Sequence, residues 1–278
     1  MPCGKCVSCL ANQRQEWVFR LKEEFDHCNF GLFVTLTYNE ESIPADFSVN
    51  KRDCQLFFKR LRKRLNKSGT FRYYFISEYG DHTHRPHYHG LFFFGENFER
   101  KFVYDSIEQA WNNGFVKFGE IEIGSIVYCT KYCLKKNTVP PGRKSNFRLV
   151  SKMNGGLGYQ YLDRMEQFHM SDVMNNLSFV VKDGQICRMP AAYREKMLTN
   201  EFGRYRSLNF RYARIRSAKH NRMLDEMYKR NAEEFAKFCK EHRFPDYASA
   251  VEAYNKHIED RKDRQDELIL KHTKKQTL

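Results

Sequence analysis

Two short stretches hold residues whose types and spacing can do chemistry. The first is RPHYHG, in which His87 and His89 stand two apart. On a β-strand, side chains i and i+2 share a face, with backbone positions roughly 6–7 Å apart. Two imidazoles so placed can chelate one divalent metal, or can simply line a polar strand face. A third donor is at hand in FISEYG, where Glu78 precedes the turn-prone GDHTHRP. Two neutral nitrogens and one carboxylate leave coordination positions open, as a catalytic metal requires. His82 and His84 fall in the turn, since Pro86 is expected to open the second strand.

The second stretch is YCTKYCLKK, residues 128–136. As a helix, it places Tyr128 and Tyr132 on one face with Cβ atoms about 5–6 Å apart. At ~100° per residue, Lys131 and Lys135 join them within a sector of about 100°. Ile126, Cys129, Thr130, Cys133 and Leu134 fall on the packing side, and Ser125 is positioned as the N-cap. The polar face is either a solvated surface or a set of nucleophiles. A phenol attacks poorly unless its anion is stabilised, and an ammonium group one turn away supplies that charge. A metal held by Glu78, His87 and His89 would polarise a phosphate as a Lewis acid. Each cluster gives the other a purpose.

The elements that must position them follow from hydrophobic patterning. Residues 8–26 read as an amphipathic helix, 31–38 as a buried strand, and 51–67 as a helix with one strongly basic side. FRYYFISEY and HYHGLFFF form a hairpin, FVYDSIEQAWNN a short helix, and GFVKFGEIEI a further strand before the tyrosine helix. The order β-α-β-β-α-β is the ferredoxin-like arrangement of an antiparallel sheet with helices on one face, an α+β fold. SFVVKDGQICRMP adds a hairpin turning at Asp183–Gly184. Residues 1–213 are read as the core with its Cys-rich start. Residues 214–278 are read as a charged helical appendage, fraying after about Leu270.

The chain has 278 residues, 41% of them hydrophobic and 15% aromatic, with Lys+Arg 48 against Asp+Glu 34. The resulting net charge of +14 favours polyanionic partners, nucleic acid first and anionic membrane second. No run approaches the ~18 apolar residues of a membrane span, and the first residues lack an apolar signal core. Nine cysteines without an export signal suit a reducing compartment. Cys3, Cys6 and Cys9 have the C-x2-C-x2-C spacing of zinc or iron–sulfur ligation, with Cys28 or His27 as a fourth donor. The alternative is three reduced thiols. Lys59, Arg60, Arg62, Lys63 and Arg64 are so dense on one helix that they suit a phosphate-backbone track. Tyr73, Tyr74, Tyr88 and Phe118 can stack bases if the strands expose them.

At these residues the sequence resembles the HUH endonucleases that initiate rolling-circle replication, most of all the initiators of microviruses. FVTLTY (Phe33–Tyr38) matches the family's first motif, Glu78 with RPHYHG its second, and YCTKYCLK its two-tyrosine third. CGKCVSC and SKMNGGLGYQY also resemble microviral segments, so the likeness spans roughly residues 3–200. The resemblance implies nicking of single-stranded DNA at an origin, a 5′-phosphotyrosyl link, and a free 3′-OH for a host polymerase. Tyr128 and Tyr132 would be nucleophiles supported by Lys131 and Lys135. Glu78, His87 and His89 would hold Mg2+ or Mn2+, and a structural Zn2+ would be a separate matter for the cysteines. A host helicase and the cytoplasm of a host bacterium are implied with it. Other readings are a transposase- or relaxase-type enzyme of the same chemistry, a non-catalytic nucleic-acid-binding module, and a non-haem iron oxygenase. The last fits neither the tyrosine–lysine pattern nor the charge. Neither the oligomeric state nor the origin sequence is written in the chain.

Overall fold

The computed structural model describes residues 6–65, 69, 71–131, 139–152, 155–172, 176–182, 185–199 and 206–275. The element order begins α1 (Val7–Asp26), β1 (Phe30–Tyr38), α2 (Lys51–Leu65), β2 (Arg72–Tyr79) and β3 (Pro86–Phe94). It continues with α3 (Arg100–Ala110), β4 (Gly114–Glu120), α4 (Ile123–Thr130) and β5 (Arg148–Val150). A five-stranded sheet has the order β4-β1-β3-β2-β5, with every neighbouring pair antiparallel. The first four strands and α2 and α3 realise the expected ferredoxin-like unit, and β5 extends it.

Period-2 alternation sorts the strands' side chains between two faces. On one face, Leu32, Val34, Leu36 and Tyr38 of β1 join Phe75, Tyr88 and Phe92 against Phe57, Phe58 and Leu61 of α2 and Val103 and Ile107 of α3. Gly90 lies in this layer, and a Cβ there would stand 2.8 Å from the Phe75 ring. The glycine of RPHYHG is therefore dictated by aromatic packing. Helices also cover part of the other face. Leu21 of α1 and Ile126 and Cys129 of α4 pack on Tyr74, Ile76, Leu91 and Phe93. Phe33 of β1 packs against Tyr128 of α4 on this side, and farther along β1 Thr35 and Thr37 are only half-buried.

A smaller unit docks on α1. It comprises α5 (Gln160–Ser171), the hairpin β6 (Phe179–Lys182) and β7 (Gln185–Arg188), and α6 (Ala191–Thr199). Asp183 and Gly184, the expected turn, lie outside the described residues. Tyr161, Leu177, Met189 and Tyr193 pack around Phe19 of α1. The glycine-rich segment before α5 is the fastening. Gly158 N–H donates to buried Glu24 (2.7 Å), Arg20 Nε–H donates to the Leu157 carbonyl (3.0 Å), and Arg72 pairs with Glu24 (3.1 Å). Two long helices follow, α7 (Arg206–Glu241) and α8 (Tyr247–Lys275), the latter continuing past the expected fraying at Leu270. Phe235 and Phe238 of α7 pack on Tyr254 of α8. Among the described residues, no helix is long and apolar enough to cross a membrane.

Candidate metal and tyrosine site

The register of the sheet brings the chemistry together. Glu78 of β2 stands directly across from His87 of β3, and His87 across from Thr37 of β1. One step along, Ile76, His89 and Thr35 form the next transverse row. Glu78, His87 and His89 each offer a ligand atom, and these atoms all lie within 4.8 Å of one another. His89 Nε2 is 3.5 Å from Glu78 Oε2. Among the described residues this is the only group of three or more His, Cys, Asp or Glu residues so arranged.

Hydrogen bonds orient both imidazoles. His87 Nδ1 lies 3.1 Å from the Arg85 carbonyl, which can only accept, so Nδ1 carries the proton and the Nε2 of the neutral ring keeps its lone pair. His89 Nδ1 is 3.0 Å from Thr35 Oγ1 and can donate there, which likewise aims a bare Nε2 at the cluster. Burial, with His87 close by, holds the His89 pKa down to about 4, so this ring is neutral at physiological pH. Two imidazole nitrogens, the His87 tautomer set by the Arg85 carbonyl, and a carboxylate fit a divalent cation with open positions.

Tyr128 completes the group. Helix α4 starts at Glu122, whose backbone N–H is met by Ser125 Oγ at 2.8 Å in a capping box. Ser125 is thus the third helical residue rather than the expected N-cap. Ile126, Cys129 and Thr130 are buried as the helical wheel required. This pins Tyr128 over the sheet, edge-on to Phe33 and His89. Its Oη–H donates to Glu78 Oε2 at 2.8 Å, and Oη lies 3.4 Å from His89 Nε2. Burial and then the Glu78 charge push the phenol pKa well above its ordinary value. Lys131 Nζ is 5.8 Å from the centre of the Tyr128 ring. Tyr132 and Lys135 lie outside the described residues.

The remaining expected residues are dispersed. Lys59, Arg60, Arg62, Lys63 and Arg64 sit on α2, behind the sheet and away from the triad. Arg60 Nε–H is given to the Ala110 carbonyl, Arg62 donates to the Tyr73 hydroxyl, and Arg64 donates to Gln109. Tyr73, Tyr74 and Tyr88 are core residues, not stacking platforms, and Phe118 is half-buried against Tyr104. Strand alternation alone could not say which face the helices would cover. Cys3 lies outside the described residues, and Cys6 and Cys9 flank the first turn of α1. Cys28 Sγ–H donates to the Phe25 carbonyl, and both ring nitrogens of His27 have partners, the Glu23 carbonyl and Arg164. Sequence reasoning missed Thr35, though the T-x-T of FVTLTY, facing the histidine strand, is the signal that could have found it.

Comparison with known proteins finds several similar chains. Residues 31–137 match the family model described as replication-associated protein ORF2/G2P. The chain is 32% identical over 155 residues to replication-associated protein VP4 of Bdellovibrio phage phiMH2K, covering 49% of this chain and 48% of that protein. It is 28% identical over 195 residues to replication-associated protein ORF2 of Spiroplasma virus 4, covering 62% of this chain and 60% of that protein. Replication-associated protein ORF4 of Chlamydia phage 1 is 24% identical over 182 residues, or 45% of its length. The chain thus spans about half of the length of the curated relatives it matches. No solved structure matches. The chain is similar to the replication-associated proteins of these viruses, and the segment that matches the ORF2/G2P model holds the whole triad and Tyr128.

Proposed function

We propose that this chain initiates replication by nicking single-stranded DNA at an origin. The carrying observation is the phenol of Tyr128 hydrogen-bonded into a Glu78–His87–His89 donor cluster. Glu78, His87 and His89 would hold Mg2+ or Mn2+, which supplies Lewis-acid polarisation of the scissile phosphate. Tyr128 Oη attacks phosphorus, the bond to the 3′-oxygen breaks, and the phenolic proton ends on the released 3′-hydroxyl. The product is a 5′-phosphotyrosyl link and a 3′-OH that a host polymerase can extend. Lys131 stabilises negative charge on the phenol as its proton leaves. Tyr132, with Lys135, is the second nucleophile, attacking the regenerated origin so that cleavage alternates with rejoining. The net charge of +14 suits a DNA substrate.

Covalent capture tests this. The protein is incubated with Mn2+ and single-stranded DNA of its own replicon, and a DNA-linked species is sought on a denaturing gel. An adduct that survives Tyr128→Phe or Tyr132→Phe alone and vanishes in the double variant is expected. DNA binding without an adduct under any metal would overturn the reading.

A further inference from the structure

The sheet face that carries the triad continues through half-buried Thr35 and Thr37 to an exposed edge. The row Glu78–His87–Thr37 ends at Phe115 of β4, and the row Ile76–His89–Thr35 ends at Lys117. Residues directly opposed in an antiparallel sheet point to the same side. Phe115 and Lys117 therefore share the face of the histidines, two strands or roughly 10 Å from them.

Phe115 is 67% exposed on this face. Lys117 is exposed and, among the described residues, makes no ion pair. Thr35 and Thr37 form the floor between them and the triad, both half-buried. The shelf is rigidly built. Gly114 (φ 150) is where a Cβ would run into the Thr37 and Asn39 backbone, so β4 lies tight against β1. Asn39 N–H bonds the Asn113 carbonyl (3.0 Å), and Trp111 Nε1–H bonds the Thr37 carbonyl (3.2 Å). The position of Phe115 opposite Thr37 is fixed by these contacts.

We propose that Phe115, Lys117, Thr35 and Thr37 form the seat for unpaired nucleotides flanking the scissile phosphate, a base stacking on Phe115 and a phosphate pairing with Lys117. An exposed ring on a rigid strand offers a π-face to a base only where that base has no partner strand above it. The Lys117 ammonium two residues along the strand is complementary to the backbone that such a base brings. The shelf is continuous with the triad, so a strand whose phosphate reaches Tyr128 must cross or skirt it. This inference rests on the nicking reading for its substrate, and it adds which residues select a single strand. A protein strand added to the edge of β4 is the competing occupant.

The test is equilibrium binding by the full chain in EDTA, where no cleavage occurs, using labelled oligothymidylate and a labelled duplex. Phe115→Ala should weaken oligothymidylate binding roughly 5- to 100-fold while changing duplex binding little. Phe115→Trp should restore affinity, with its emission quenched as the oligomer is added. Lys117→Gln should lower the slope of log affinity against log salt by about 0.7. Unchanged affinity in Phe115→Ala together with an unchanged slope in Lys117→Gln would overturn the proposal, leaving the β4 edge to a protein partner. Equal losses for single strand and duplex would overturn it too. Failure of the nicking reading looks different: no adduct with Mn2+, yet the Phe115 and Lys117 effects persist. Adducts formed at wild-type affinity by both variants would sink the shelf and spare the nickase.

Discussion

Tyr128 Oη and Glu78 Oε2 are 2.8 Å apart, so the phenol is hydrogen-bonded to a member of the donor cluster. Burial and the nearby carboxylate both disfavour the phenolate. The tyrosine is in place but held protonated, and a cation among Glu78, His87 and His89 would reverse the local sign.

Replacing Tyr128 by Phe should therefore not weaken Mn2+ binding. The variant loses a hydrogen bond to a charged acceptor, of the kind worth about 1.5–3 kcal/mol, and that bond competes with the ion for Glu78. Calorimetric Mn2+ affinity should stay equal or rise up to about tenfold, with no adduct through this position. A tenfold fall would mean that the phenol is itself a ligand.

The smaller unit on α1 should loosen in acid through His169. This ring is buried, its Nε2 facing the Tyr161 hydroxyl at 3.0 Å and its Nδ1 the Asn176 carbonyl at 2.6 Å. Burial lowers its pKa, so below about pH 6.5 the unfolded chain binds a proton that the folded one resists. Stability from this residue is complete above the unfolded value and is lost as pH falls toward the folded one. Hydrogen-exchange protection factors across residues 157–197 should fall as pH drops below about 6.5, and His169→Gln should flatten that dependence. An equally steep dependence in His169→Gln would assign the acid loosening elsewhere.

Gly158 holds the same unit from its other side. Its φ is 72, and a Cβ would stand 2.5 Å from both the Arg20 carbonyl and the Tyr193 hydroxyl. Gly158→Ala should cost about 1–3 kcal/mol in backbone strain, and more from the clash. The loss should show as early melting of this unit, with Mn2+ binding at the sheet retained. A melt indistinguishable from the parent chain would show that the segment can shift without cost.

Much of this was legible beforehand. The His-x-His pair and Glu78 could be placed because period-2 alternation and the short 80–85 turn leave little choice of register. The aromatics could not be sorted, because helices cover β2 and β3 on both faces but reach the second face of β1 only in part and leave Phe115 of β4 exposed. Tyr74 vanished under α1 and Phe115 stayed in solvent, though both sit in strands rich in aromatics. Gly158 carried no local pattern either, since its requirement comes in part from the Arg20 backbone of α1, more than a hundred residues away.

Thr35 is the sharpest case of a role visible only in three dimensions, and it yields the most direct test of the metal site. Its Oγ1 is 3.0 Å from His89 Nδ1, on the side of the ring away from the cluster. A partner there can accept the Nδ1 proton and holds the ring plane, and loss of such a partner costs roughly 10–100-fold in metal affinity. Thr35→Val keeps the shape, removes the hydroxyl and leaves Nδ1–H unsatisfied in a buried place. Mn2+ affinity should fall within that range, while Thr35→Ser should recover most of it. Thermal stability should separate the two explanations for a loss: a positioning role moves metal affinity with little change in the apo melting point, whereas a packing role moves both. Unaltered Mn2+ binding in Thr35→Val would mean that His89 is oriented by the Phe33 ring stacked on it at 5.6 Å, and that the threonine only lines the shelf.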